Sequence, residues 1–392
     1  MNKHNKQAGW TLVKFGEVAR QIKDKVNPET SDLDRYVAGG HMNTDDLKIR
    51  RWGIVGDGYL GPAFHRKFQK GQILYGSRRT YLRKVAVAEF DGICANTTFV
   101  IEAIPEKIYP PLLPFIMQSE PFVEHSIKNS RGSTNPYVNW KDIAKYEFAL
   151  PPPDEQRRIA EVLTAVEETI RQFQNSEEQA FNLQRAFREQ LIHKTSNTAK
   201  TVKLINLLTG NPESGHSAHS VDKVTGHFVL SLSALSKTGY EFGHLKTVEL
   251  TSQMRAALLY KNDFLISRSN TRELVGLVGI FNEDRLDVSF PDTMMRLPVD
   301  ESKINKKYLE QYLLSREGRF QLQRISAGTS ASMKKINRKS LSQVPVLLPT
   351  LEMQEEILEQ LQICEEAFQA VQQKVLKSIN LKNALLSQFL SG

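Results

Sequence analysis

The sequence predicts an α+β chain: two pseudo-repeated mixed α/β globular domains separated by two long helices that pack on each other as an antiparallel coiled coil. Three observations lead there. The stretch "LPPPDEQRRIAEVL" at 150–163 is echoed by "LPTLEMQEEILEQL" at 348–361. Each echo opens a run of apolar residues at heptad spacing, and neither run is broken by proline or glycine from about 154 to 192 or from about 352 to 391. The 392 residues are too many for one ordinary domain and suit two or three, each able to bury its own core.

The repeat extends beyond the Leu-Pro stretches, with four blocks recurring in the same order. "VKFGEVA" at 13–19 pairs with "VKLINLL" at 202–208, and "GQILYGSR" at 71–78 with "NDFLISRS" at 262–269. These blocks read as short strands or strand entries. "SRGST" at 130–134 pairs with "SAGTS" at 326–330, each after an expected helix, roughly 111–128 and 303–325. The offset drifts from 189 to 198, as independent loop insertions in two copies of one unit would leave it. The boundaries expected are a first domain over 1–150, a central helix over 151–195, a second domain over 196–348 and a distal helix over 349–392.

Pro151, Pro152 and Pro153, and Pro349 in the second copy, sit where proline is tolerated at a helix start, with Asp154, Glu155 and Glu352 placed to meet the positive end of the dipole. In the distal run Ile357, Cys364, Val371 and Leu385 share one heptad position and Leu361, Phe368, Val375 and Phe389 another, broken by Ser378 and Lys382. The central run is looser: Ile159, Val166, Phe173, Ala180 and Phe187 on one position, then Val162, Thr169, Ser176, Leu183 and Gln190. A helix of about 38 residues is ~57 Å long. Burying two such stripes against each other is the economical arrangement. The alternative is two surface helices, each packed on its own domain.

The formal net charge is +8, which suits a polyanionic partner. Its location is uneven. Residues 1–150 hold 22 basic against 16 acidic side chains and 196–348 hold 21 against 14, while the helical segments are mildly acidic. Residues 58–88 carry Arg66, Lys67, Lys70, Arg78, Arg79, Arg83 and Lys84 with no acid, interleaved with aromatics. Residues 316–339 carry Arg316, Arg319, Arg324, Lys334, Lys335, Arg338 and Lys339 against Glu317 alone. A charge run is ordinarily a solvated face, but one in each repeated domain points to nucleic acid, with the two domains set to read two different half-sites. The expected DNA-binding residues are Arg66, Lys67, Arg78, Arg79, Arg83, Lys84 and Arg131 in the first domain, and Arg268, Arg272, Arg324, Lys334 and Lys335 in the second. Cys94 and Cys364 are far apart, so neither a disulfide framework nor a zinc site is indicated, and a reducing cytoplasm is expected. Neither a signal peptide nor a membrane span is read, so no membrane partner is expected.

At these residues the chain resembles the specificity subunit of type I restriction-modification enzymes. The resemblance rests on the paired "L-P-x-x-x-E-Q-x-x-I" signals, Leu150, Pro151, Glu155, Gln156 and Ile159, then Leu348, Pro349, Gln354 and Ile357, with the preceding "SRGST" and "SAGTS". It covers essentially the whole chain. Met353 stands where the first copy has Glu155, which puts a capping role for that glutamate in doubt. The resemblance implies two target recognition domains, each reading half of a bipartite site in double-stranded DNA. It further implies helices that space them and dock two methyltransferase (modification) subunits, restriction (translocase and nuclease) subunits joining that core, and no catalytic centre or cofactor in this chain.

Other motifs fit catalysis less well. Gly56, Gly58 and Gly61 spell G-x-G-x-x-G, but Pro62 and "AFHRKF" leave no room for the helix a dinucleotide site requires. Asn135, Pro136 and Tyr137 are one proline short of an amino-methyltransferase loop. His216 and His219 lack a third metal ligand. Asp292, Glu301 and Lys303 match the spacing of a metal-dependent nuclease, and a free-standing nuclease is the alternative reading, with a protein-bridging scaffold as a further rival.

Overall fold

The computed structural model describes residues 9–195, 198–328 and 333–390. The chain divides into two compact units, Met1–Gln174 with Gln373–Gly392, and Asn175–Gln372. Each unit therefore holds one globular part and one stretch of each long helix.

In the first unit a four-stranded antiparallel sheet runs in the order 19–22, 98–103, 73–76, 85–87. Both of its faces are covered, and the strand period of two sorts its side chains. Ile73, Tyr75, Val85 and Ile101 join the core formed with the helices. Leu74, Ala86 and Val100 join a second cluster with Val37, Phe68 and Cys94 of the neighbouring sheet. That neighbour has the order 53–54, 35–37, 92–95, 64–68, and its inner pair, Arg35–Val37 with Gly92–Ala95, is parallel.

The second unit repeats the plan. Its antiparallel sheet runs 213–214, 294–297, 264–267, 278–280, and a three-stranded sheet, 245–247, 228–230, 288–289, again has one parallel pair. In both units a short strand enters antiparallel to the strand that leads into a long helix: Thr11↔Leu150 and Lys200↔Leu348. The repeated blocks "VKFGEVA", "VKLINLL", "GQILYGSR" and "NDFLISRS" fall on such strands or strand entries.

One expectation is corrected twice in the same way. Each helix expected before the repeated serine motif is two helices, Leu113–Gln118 with Glu120–Lys128, and Lys306–Leu314 with Arg316–Arg324. The breaks are Ser119 and Ser315, both extended and both buried, whose hydroxyls donate to the carbonyls of Ile116 and Tyr312. A serine that bonds back to the preceding turn offers the backbone an exit from the helix. Pro121 cannot donate to Met117, and Gly318 lies so close to Tyr312 that a Cβ there would meet its carbonyl oxygen at 2.2 Å.

The long helices span Pro153–Thr195 and Leu351–Leu390. They run antiparallel. In the first unit Arg158 lies over the Phe389 ring, Glu167 pairs with Lys382, and Lys374 lies over Phe173; in the second Phe181 meets Phe368 with centroids 6.1 Å apart. Both ends of each helix pack on globular cores as well. Ile159 and Leu163 lie in one cluster with Leu386, and Leu191 and Ile192 in another with Ile357 and Leu361.

The seam of the central helix differs from the one read in the sequence. Ile159 is buried and Val166, Phe173, Ala180 and Phe187 face partly inward, as expected. Thr169, Ser176, Leu183 and Gln190, however, point outward, and the buried set is Leu163, Ile170 and Leu191, one residue further on. Both helices thus use the same four-then-three spacing. The apolar Val162 and Leu183 drew the reading off by one residue, about 100° of helix. In the distal helix Lys382 does not interrupt the seam but is buried within it.

Candidate nucleic-acid interface

The repeated serine motifs build the same local structure twice. In the first unit Arg131 and Tyr137 exchange both backbone hydrogen bonds, 2.8 and 2.9 Å, closing a loop over 132–136. Tyr137 also bridges Arg78, and Val138 donates to the Ser77 carbonyl at 2.9 Å. In the second unit Ala327 and Lys335 exchange both bonds at 2.9 Å, Lys335 pairs with Ser269, and Ile336 donates to the Arg268 carbonyl at 2.9 Å. In both copies the residues that close the serine-motif segment, Tyr137–Val138 and Lys335–Ile336, are therefore laid against the backbone that follows an inner strand, 73–76 or 264–267.

The motif glycines explain their own recurrence. Gly132 and Gly328 have φ of +96° and +143°, conformations that L side chains rarely adopt. At Gly328 a Cβ would also meet the Met333 carbonyl oxygen at 2.9 Å. Thr329 and Ser330, the end of "SAGTS", lie outside the described residues.

In the first unit Arg78 and Arg79 are exposed beside exposed Tyr81 and Tyr137, and Arg131 is exposed with an ion pair to Asp142 at 3.6 Å. Lys84 donates to the Gly39 carbonyl, and Arg51 donates to the neighbouring Gly40 carbonyl at 3.0 Å. Burial lowers the Lys84 pKa, and the charges of Arg79 and Arg51 lower it further. Burial likewise lowers the pKa of His41, whose Nδ1 accepts from the Ala38 amide at 3.1 Å; Arg51 adds to that shift, while a backbone bond involving Tyr36 opposes it. The repulsion that Arg79 and Arg51 exert on Lys84 is of the kind an approaching polyanion relieves.

Arg83 is placed differently from its neighbours. Its guanidinium pairs with Asp45 at 2.8 Å and Glu120 at 2.5 Å, and donates to the Gln118 carbonyl at 3.1 Å. Burial works to lower its pKa, but the two carboxylates hold it above the ordinary value. It ties the basic loop down rather than presenting a free cation. Arg66 and Lys67 lie on the strand Phe64–Phe68 of the other sheet, half-buried, with Arg66 Nη1 buried and without a hydrogen-bond partner.

In the second unit Arg272, Arg324 and Lys335 are exposed, and Lys334 donates to the Gly328 carbonyl at 2.6 Å. Arg268 is half-buried, and its Nε is buried without a hydrogen-bond partner. Arg319, part of the same basic run, donates to the carbonyls of Glu273 and Val275 at 3.0 and 2.7 Å, and so braces the loop that carries Arg272. Burial pushes its pKa down to about 10. Arg51 lies outside both basic runs, and its place beside Lys84, on the neighbouring carbonyls of Gly40 and Gly39, is set only by the fold.

The other motifs resolve into ordinary structure. The glycines at 56, 58 and 61 lie in a loop that enters a strand, with no helix after it. Asp292 accepts from Ser217, Glu301 pairs with Lys306 at 2.7 Å, and Lys303 pairs with Asp300 at 2.8 Å, so the three nuclease-spaced residues hold three different partners. Glu301 and Lys303 precede the helix that starts at Lys306 instead of forming its first turn. Among the described residues no group of three or more His, Cys, Asp or Glu is placed to hold a metal ion. No described helix is long and apolar enough to cross a membrane.

The type I restriction modification DNA specificity domain matches residues 8–180 and 237–381. A type I restriction enzyme EcoDI specificity subunit from Escherichia coli is 28% identical over 164 residues, 41% of this chain and 36% of that protein, so the match spans little over a third of the relative's length. The StySPI specificity subunit from Salmonella potsdam is 24% identical over 316 residues, 76% of this chain and 68% of that protein. Among solved structures, a chain from work on assembly and conformational transition of the type I R-M system has a TM-score of 0.53 at 20% identity, covering 98% of both chains. The S subunit from M. genitalium also has a TM-score of 0.53, at 12% identity, covering 99% of this chain and 98% of its own. The latter two likenesses bear on the fold alone. The two matched segments take in most of the sequence, and the chain belongs to the type I restriction modification DNA specificity family.

Proposed function

We propose that this chain is the non-catalytic subunit that gives a type I restriction-modification complex its sequence specificity, acting in the cytoplasm. Residues 1–150 read one half of a bipartite, asymmetric duplex site and residues 196–348 the other. The helical segments 151–195 and 349–392 separate the readers and dock two methyltransferase subunits, with restriction subunits joining that core. The carrying observation is the pair of equivalent bridges: Tyr137 pairs with Arg78 and Arg131, and Lys335 with Ser269 and Ala327, with exposed cations in or flanking the bridged segments, Arg78, Arg79 and Arg131 in one copy and Arg272, Arg324 and Lys335 in the other. Two equivalent loops with different side chains suit two half-sites of different sequence.

Within this reading Arg78, Arg79, Lys84 and Arg131, and Arg272, Arg324, Lys334 and Lys335, are the DNA contacts. Arg66, Lys67 and Arg268, half-buried, would add contacts at most through the exposed part of their side chains. Arg83 acts as an anchor. The test is a genome-wide map of methylated adenines in a host with and without this chain, its modification and restriction partners present in both. One bipartite motif that appears only with the chain supports the reading; identical maps overturn it. Binding by the assembled complex that ignores salt concentration also overturns the proposed contacts.

A further inference from the structure

Among the described residues only four non-glycine positions have φ in the left-handed region: Asp45, Arg79, Arg83 and Asn262. Three of these four are linked: Arg79 and Arg83 cap the same short helical turn, Thr80–Leu82, and Asp45 meets Arg83. The Asp45 amide donates to the Arg83 carbonyl at 3.2 Å, and Arg83 Nε donates to Asp45 Oδ1 at 2.8 Å. Strained residues persist only where their surroundings over-determine them, and here the surroundings include the long helices. Lys382 is 4% exposed, donates to the Asp45 carbonyl at 3.2 Å and pairs with Glu167 on the facing helix. Arg50, five residues after Asp45, donates to Gln174 of the central helix at 2.6 Å. Apart from Asn262, all of these residues lie in the first compact unit.

We infer that Lys382 and Asp45 are positioning residues for sequence reading by the first domain: the helix pair holds Asp45, Asp45 holds Arg83, and Arg83 fixes the loop that presents Arg78, Arg79 and Lys84. This rests on the proposed DNA-reading role. Lys382 touches no base in this arrangement. Replacing a buried ion pair by packed apolar side chains is often neutral or stabilising, so stability alone does not account for Lys382 in the seam. The second unit has Gln184 and Glu365 at the equivalent helix positions, and among the described residues no buried lysine joins them.

The test uses the full complex assembled with its modification subunits and duplexes built on its own mapped motif, each with one base pair substituted in one half. For the wild type, a substitution in either half should weaken binding by roughly 5- to 150-fold. Lys382→Met and, separately, Asp45→Asn should reduce that penalty to less than about 3-fold in one half only, leaving the other half and the salt slope as they were. Asparagine tolerates the left-handed backbone of position 45 and keeps the carbonyl that Lys382 uses. Full discrimination in both halves for both variants overturns the inference, as does equal loss in both halves, which would mark a merely structural role. If Lys382→Met does not fold, Asp45→Asn decides by the same two outcomes. A wild-type complex that binds every duplex alike overturns the reading role itself, a result distinct from either of these.

Discussion

Gln354 Oε1 accepts from the Asn305 amide at 2.8 Å while its Nε2 donates to the Pro349 carbonyl at 2.9 Å. Gln156 makes the same pair of bonds with the Tyr109 amide and the Pro151 carbonyl, each at 2.8 Å. Both glutamines are buried. This is why the Leu-Pro stretch recurs: its glutamine ties the first turn of a long helix to the strand that leads into it and to the loop that opens the preceding helices. The neighbouring Glu155 makes no such bond but pairs with Arg158, so Met353 replaces it at little cost, and Thr350 Oγ1 accepts from the Met353 amide at 3.3 Å.

Gln156→Ala and Gln354→Ala should each destabilise the protein by about 1–3 kcal/mol, because a buried amide and a buried carbonyl lose their partner together. Glu155→Ala should stay within about 0.5 kcal/mol, being an exposed pair. Chemical denaturation of the three variants checks the contrast; equal effects would remove the glutamine clamp from the account.

The helix seam makes an equally sharp contrast. Ile170 is 5% exposed and Leu183 65% exposed, although the heptads read in the sequence put Leu183 in the seam and leave Ile170 out. Ile170→Ala should cost about 2–5 kcal/mol and Phe368→Ala about 3–5 kcal/mol. Leu183→Ala should change stability by less than about 0.5 kcal/mol. Thermal unfolding of the three variants gives the comparison, and a costly Leu183→Ala would restore the sequence-derived register.

DNA contacts divide by chemistry. Arg79→Ala should cost about 1–3 kcal/mol of specific binding and relax one position of the site, if the side chain reads a base edge. Lys335→Ala should weaken all sequences alike and reduce the salt slope by about 1. Competition binding by the assembled complex over a salt series separates the two behaviours. A lysine variant with an unchanged slope would take Lys335 off the phosphate backbone.

Acid should unfold the chain partly through Glu102. Gln72 donates to it at 2.6 Å and Arg20 pairs with it, and these partners hold its carboxyl below the ordinary value of 4.5. Because the folded pKa is depressed, the unfolded chain takes up the proton first. The contribution is therefore present above the unfolded value and is lost as pH falls through the folded one. Arg20 is well exposed, so the effect should be below about 1 kcal/mol. In Glu102→Gln the fall in melting temperature between about pH 5 and pH 3 should be shallower than in the wild type. Parallel curves would mean that the pair contributes nothing.

The sequence by itself determined the duplication, the α+β class and the two long helices, because each is a local or periodic property. Leu-Pro starts, unbroken heptads and recurring strand blocks are written in residue order and survive without knowledge of partners. The basic character of 58–88 and 316–339 was equally plain. Which of those cations face solvent was decided by tertiary structure alone. Arg83 and Arg319 have the same chemistry as Arg78 and Arg324, and only the carboxylates and carbonyls brought beside them by distant segments turn them into anchors. The same holds for Ser119 and Ser315, whose helix breaks need a buried back-bond that no propensity reveals. It holds also for Lys382, a blemish in a heptad until Asp45 and Glu167 arrive to receive its ammonium. Desolvation and pairing depend on what lies across a gap in space, and a one-dimensional string carries periodicity but not neighbours.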